Sequence, residues 1–88
     1  VEKSIFSQDY DRFCRLLREV RQEAGLSQYQ LAAKLNTTQS WISKCERGER
    51  RIDVVELRQF CRAMDIAVAD FVLRLDKEIE NEERHQAT

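Results

Sequence analysis

Residues 26–51 read LSQYQLAAKLNTTQSWISKCERGERR, and the order of caps, apolar positions and stops in them predicts two short helices joined by a tight turn. Ser27 stands as an N-cap with Gln30 three residues on, a capping box in which the two residues satisfy free backbone N–H groups of the first turn. Leu26 and Leu31 occupy the two positions of a hydrophobic staple, and a helix over about 28–35 would bury Leu31, Ala32 and Leu35. Asn36 accepts positive φ more readily than most residues, Thr38 is the better N-cap of the two threonines, and a second helix over about 39–47 stops at Gly48. Helical periodicity turns Ile42 and Cys45 inward and Gln39, Ser40, Ser43, Lys44 and Arg47 outward. A turn this short makes the two helices cross steeply, so the second carries a small core face and a wide polar one.

The flanks continue the pattern. Phe13, Leu16, Leu17 and Val20 recur at helical spacing before Gly25, which predicts a first helix over about 9–24. Asp53 with Glu56 forms a second capping box, and Ile52 with Leu57 a second staple, so a fourth helix over about 54–64 buries Leu57, Phe60, Cys61 and Met64. Asp65 takes the stop position. A fifth helix then carries Val68, Phe71, Val72, Leu75 and Ile79, a stripe longer than a compact core requires, and the surplus points to a partner. The expected organisation is an N-terminal arm over 1–8, one domain over 9–79, and a polar tail over 80–88, frayed from residue 81. Two glycines, no proline and an excess of strong helix formers make the fold class all-α, a compact five-helix bundle.

Composition excludes several classes of function. The 88 residues suit a single domain and leave no room for a separate sensor domain. No apolar run approaches the roughly 20 residues that span a bilayer, and residues 1–4 lack the basic start and hydrophobic block of a signal peptide, so a soluble cytoplasmic protein without membrane association is expected. Cys14, Cys45 and Cys61 make no C-x-x-C pair and have only His85 for company, so no metal is expected, and buried reduced thiols are the simplest reading. The sequence holds no Ser/His/Asp set, Cys/His pair or glycine-rich phosphate loop, which argues against an enzyme and against a cofactor. The net charge of −1 hides a division. Residues 12–62 hold eleven Lys/Arg against six Asp/Glu, residues 1–11 one against three, and residues 63–88 three against seven: a basic centre between acidic ends.

Two helices, a tight turn and a cationic exit outline a helix-turn-helix, which places hydrogen-bonding side chains where a DNA major groove could receive them. The segment resembles the Cro and phage-repressor type of this domain, also called the xenobiotic-response-element (XRE) type, whose hallmark reads roughly G-L-S-Q-x-x-L-A-x-x-L-G-x-x-x-S-x-I-S-x-x-E-x-G. Gly25, Leu26, Ser27, Gln28, Leu31, Ala32, Leu35, Ser40, Ile42, Ser43, Glu46 and Gly48 match in order, and the likeness extends over about residues 12–75. Asn36 and Asp65 replace two glycines of the pattern, and both are Asx residues able to adopt the left-handed conformation. The resemblance implies a lambda-repressor-like bundle that binds double-stranded DNA. It implies that Gln28 bonds a phosphate, that Gln39, Ser40 and Lys44 read bases with Ser43 adjacent, and that Glu46 forms a structural ion pair with Arg21. Arg47, Arg50 and Arg51 would lie along the sugar-phosphate backbone. Trp41 stays open between covering the junction of the third and fourth helices and touching a sugar or thymine methyl.

The resulting expectation is a sequence-specific transcription regulator, a repressor in the first instance, that binds a pseudo-palindromic operator as a homodimer. One short reading helix contacts too few bases for useful specificity, and Val72, Leu75 and Ile79 are the expected interface. A reading of another class is an antitoxin or protein-interaction module of the same fold, its acidic tail wrapping a small basic partner such as a toxin.

Overall fold

The cap chemistry sets the helix boundaries. The computed structural model describes residues 7–87, with side chains over 8–85. Its elements are α1 (Ser7–Glu23), α2 (Gln28–Lys34), α3 (Gln39–Glu46), α4 (Val54–Ala63) and α5 (Val68–Ala87). No strand occurs among the described residues, and none of their helices is long and apolar enough to cross a membrane. Ser27 and Gln30 close one capping box and Asp53 and Glu56 the other, while the Thr38 hydroxyl accepts from the Trp41 N–H. Each such cap stabilises its helix by about 1 kcal/mol.

The stops are equally local. Asn36 and Asp65 adopt φ of 55° and 60°, the left-handed conformation expected of the Asx residues that replace glycine there. Gly48 adopts 75°, and the chain reverses so that the Glu49 N–H returns to the Lys44 carbonyl at 2.9 Å. Leu35, Arg47 and Met64, expected as the last residues of their helices, are C-caps one position beyond them.

The two ends of the chain differ from expectation. Residues 1–6 of the expected arm lie outside the described residues, and Ser7 and Gln8 belong to α1. At the other end the helix continues through residues 80–87 of the expected polar tail, where fraying was expected from residue 81, and Thr88 lies outside the described residues. The cause is both local and tertiary. No glycine or proline interrupts residues 68–87, and Glu82 pairs with Arg12 and Arg15 on α1, with Arg12 also 3.7 Å from Glu78. Polar composition at the terminus thus serves helix packing.

The core sits where all five helices meet. Leu16 and Leu17 from α1, Leu31 from α2, Ile42 and Cys45 from α3, Phe60 and Cys61 from α4, and Phe71 from α5 are fully buried. Phe13 meets Phe71 edge-on at 5.9 Å, joining α1 to α5. α2 packs closely on α3, and α3 rests on α1, so the face of α3 opposite the core is left to solvent.

Candidate nucleic-acid interface

The outward face of α3 begins from an ion pair beneath it. Arg21 on α1 is 8% exposed and Glu46 on α3 is 4% exposed. Arg21 Nε donates to Glu46 Oε2 at 2.7 Å and Nη2 to Oε1 at 3.1 Å, a bidentate fork, while Nη1 donates to the Leu26 carbonyl at 2.8 Å. Buried charges are tolerable only with such partners. Glu46 Oε1 also accepts from Gln28 Nε2 at 3.0 Å, and Gln28 Oε1 accepts from Gln39 Nε2 at 2.8 Å. A chain of side-chain bonds therefore runs from the core to the first residue of α3. Gln28, expected at a phosphate, uses its side-chain amide in both directions within this chain. One Nε2 hydrogen and its backbone N–H at the start of α2 remain for an external acceptor.

Gln39, Ser40, Ser43 and Lys44 share one side of α3, at spacings that place them within a single broad face. Ser40 and Lys44 are exposed, and Gln39 and Ser43 half-buried. The three arginines beyond them differ from one another. Arg47 donates to Glu49 through Nε (2.7 Å) and Nη2 (3.3 Å), and through Nη1 to the Ser43 hydroxyl. Arg50 donates to Glu56 Oε2 at 3.1 Å and stacks over the Trp41 ring, 4.8 Å from its centroid. Arg51 stacks over Tyr10 at 4.3 Å, and stacking leaves the guanidinium edge available to an anion. Trp41 is half-buried with its ring 5.6 Å from Phe60, so it packs across the junction of α3 and α4 with Arg50 above it.

A family model described as a helix-turn-helix domain matches residues 12–71. An XRE-family-like protein from Pseudomonas syringae pv. tomato str. DC3000 is 38% identical over 84% of this chain and 90% of its own, with a TM-score of 0.78. The chain belongs to the XRE-type helix-turn-helix family. The wild-type restriction-modification controller protein C.Esp1396I is 27% identical over 85% of this chain and 97% of its own, with a TM-score of 0.79. The clp gene regulator ClgR from Corynebacterium glutamicum shares the fold, with a TM-score of 0.77 over 90% of this chain and 84% of its own at 20% identity. No curated protein matches. The coarse function follows: this XRE-type domain is a DNA-binding transcription regulator.

Sequence reasoning missed several partners of the XRE-type face. Tyr10 lies 42 residues from Ile52, yet its hydroxyl accepts the Ile52 N–H at 3.1 Å while its ring supports Arg51. No local pattern signals such a contact. Arg18, 3.7 Å from Glu46, was recognisable only as another cation of α1. On α5, Val72 is 46% exposed, while Leu75 and Ile79 are half-buried. Leu75 and Ile79 line a groove of about 370 Å³ together with Tyr10, Phe13, Val54 and Leu57. Leu73, 53% exposed and outside the expected stripe, adds apolar surface to the helix. The three cysteines are free and buried, and burial pushes the Cys45 and Cys61 thiols up to about 11 and raises that of Cys14, so all three are protonated and poorly nucleophilic near neutral pH.

Proposed function

We propose that the protein is a sequence-specific repressor that binds a pseudo-palindromic operator as a homodimer, each subunit laying α3 in a major groove about 34 Å from the other. The observation that carries this reading is the tethering of Gln39, through Gln28, to the buried Arg21–Glu46 pair. A side chain held in this way loses less rotamer freedom on meeting a base, as direct readout requires. Gln39 pairs with adenine N6 and N7, Lys44 donates to guanine O6 or N7, and Ser40 and Ser43 add single bonds. Gln28 with Arg47, Arg50 and Arg51 hold the phosphates on either side of the reading helix. A carboxylate beside each of two arginines, Glu49 exposed and Glu56 half-buried, competes with phosphate for the guanidinium, which favours specific over purely electrostatic binding.

Val72, Leu75 and Ile79 form the contact with the second copy, supported by the exposure of Val72 and Leu73 and by the groove that Leu75 and Ile79 line. The acidic end of α5 gives less support to the protein-interaction reading, since Glu78 and Glu82 face Arg12 and Glu82 also faces Arg15. Selection from a random duplex pool tests the proposal directly: a palindromic consensus is expected. Recovery of unrelated sequences, or a monomer by sedimentation with the selected duplex bound, would overturn it.

A further inference from the structure

Glu49 makes none of the DNA contacts proposed above, although it lies in their midst and holds one of their arginines. Apart from the buried Glu46 it is the only carboxylate in residues 39–51. Its backbone is fixed by the reversal after α3, where its N–H bonds the Lys44 carbonyl. Its two oxygens take the Nε–Nη2 edge of Arg47 at 2.7 and 3.3 Å, while the remaining Nη1 turns to Ser43. This is the edge by which a guanidinium grips two oxygens of a phosphodiester. The Arg47 fork and its nearness to Lys44 hold the Glu49 carboxyl below the usual carboxylate range. Both side chains are about half exposed, so the pair is open to exchange.

We propose that Glu49 is an internal substitute for a DNA phosphate: it occupies and orients the Arg47 edge in the free protein, and a backbone phosphodiester must displace it on binding. The inference rests on the DNA-binding reading of this face and adds to it a residue that limits affinity. Two consequences follow from the geometry. Arg47 is already in a fork orientation when DNA arrives, held by an anion of similar bite. Every complex that uses Arg47 must also release Glu49, whatever its sequence, so removing the carboxylate should tighten selected and random duplexes by the same factor.

The test is a set of anisotropy titrations of the full chain, Glu49→Gln, Arg47→Ala, the double variant and Glu83→Gln against a selected and a random duplex at several salt concentrations. Glu83 lies exposed on α5 and matches the charge change away from the face. Since exposed ion pairs are weak, Glu49→Gln should tighten both duplexes about two- to fivefold per subunit. That gain should disappear when Arg47 is absent, the double variant matching Arg47→Ala on both duplexes, and Glu83→Gln should match the wild type. A gain that persists without Arg47, an equal gain from Glu83→Gln, or no gain at all would overturn the proposal. If the wild-type chain binds neither duplex, the DNA-binding reading beneath it fails, and the proposal with it.

Discussion

The two ends of α3 are held by different physics. At the N-terminal end Gln39 is tied through Gln28 back to Glu46 in the last turn of the helix, and Glu46 to Arg21, within a pair that solvent hardly reaches. At the C-terminal end Arg47, Arg50 and Arg51 lean on Glu49, Glu56 and Tyr10 at the surface. Removing a partner from a buried pair strands a charge in low dielectric, so the first end is fixed. An exposed pair such as Arg47–Glu49 stabilises by only about 0–1 kcal/mol, so this part of the second end can exchange partners. The difference matches the two tasks of a DNA-binding face. Base edges accept hydrogen bonds in set directions and reward a rigid donor, whereas phosphates accept from many directions and tolerate an adaptable one.

The sharpest way to break this contrast is to cut the root of the fixed end. Glu46→Ala leaves the Arg21 guanidinium buried without its carboxylate and should lower stability by about 3–5 kcal/mol in urea denaturation. Replacing both residues with apolar side chains of similar volume should restore much of that loss, because no charge is then stranded. A single-variant loss below about 1 kcal/mol would mean that the pair is more solvated than its burial indicates.

The division between the ends also marks what the sequence could reveal. Caps and stops act over three or four residues, so Ser27 with Gln30, Asp53 with Glu56, Thr38, Asn36 and Asp65 were all legible before any tertiary structure. The pairing of Arg21 with Glu46 came from the family resemblance, not from a local signal. The environment of the arginines was not legible, because stacking of Tyr10 on Arg51 joins α1 to a linker that only the fold brings near. Glu56 shows the limit within a single residue: its capping bond to the Asp53 N–H follows from spacing, and its second partner, Arg50, does not. The extent of α5 was missed for a related reason. A polar segment reads as tail until Arg12 and Arg15 are seen beside Glu82.

A smaller effect is expected one link further along the fixed end. Gln28→Ala removes the hydrogen bond to the Glu46 carboxylate, the kind that contributes about 1.5–3 kcal/mol, and releases Gln39. Binding site selection with this variant should show a flattened preference at the base position read by Gln39 and unchanged preferences elsewhere. An intact preference would show that Gln39 reads without its anchor, and the rigid end would then have no advantage in recognition.

Lys44 and Arg51 separate the two tasks directly. Lys44→Ala should lose about 1–3 kcal/mol of discrimination at one operator position. Arg51→Ala should weaken selected and random duplexes alike and reduce the slope of log affinity against log salt by about one unit. Arg51 suits this test better than Arg50, whose loss would also disturb Glu56 and Trp41. Equal losses on both duplexes from both variants would erase the distinction between reading and holding.

The smallest expected effect asks which feature sets the pose of α3. Thr38 caps the helix by accepting the Trp41 N–H at 3.1 Å, one residue before Gln39. Thr38→Ala should lower stability by about 1 kcal/mol, because the Trp41 N–H keeps only its 3.1 Å bond to the Thr38 carbonyl and loses the capping hydroxyl. Gln39 keeps its bond to Gln28 in this variant, and Ile42 and Cys45 keep their places in the core. If the buried network positions the reading end, the base preferences of Thr38→Ala should match those of the wild type while its melting temperature falls. If the preferences shift as well, the cap fixes the direction in which α3 leaves the turn, and the rigidity of the fixed end comes from the backbone more than from the charges beneath it.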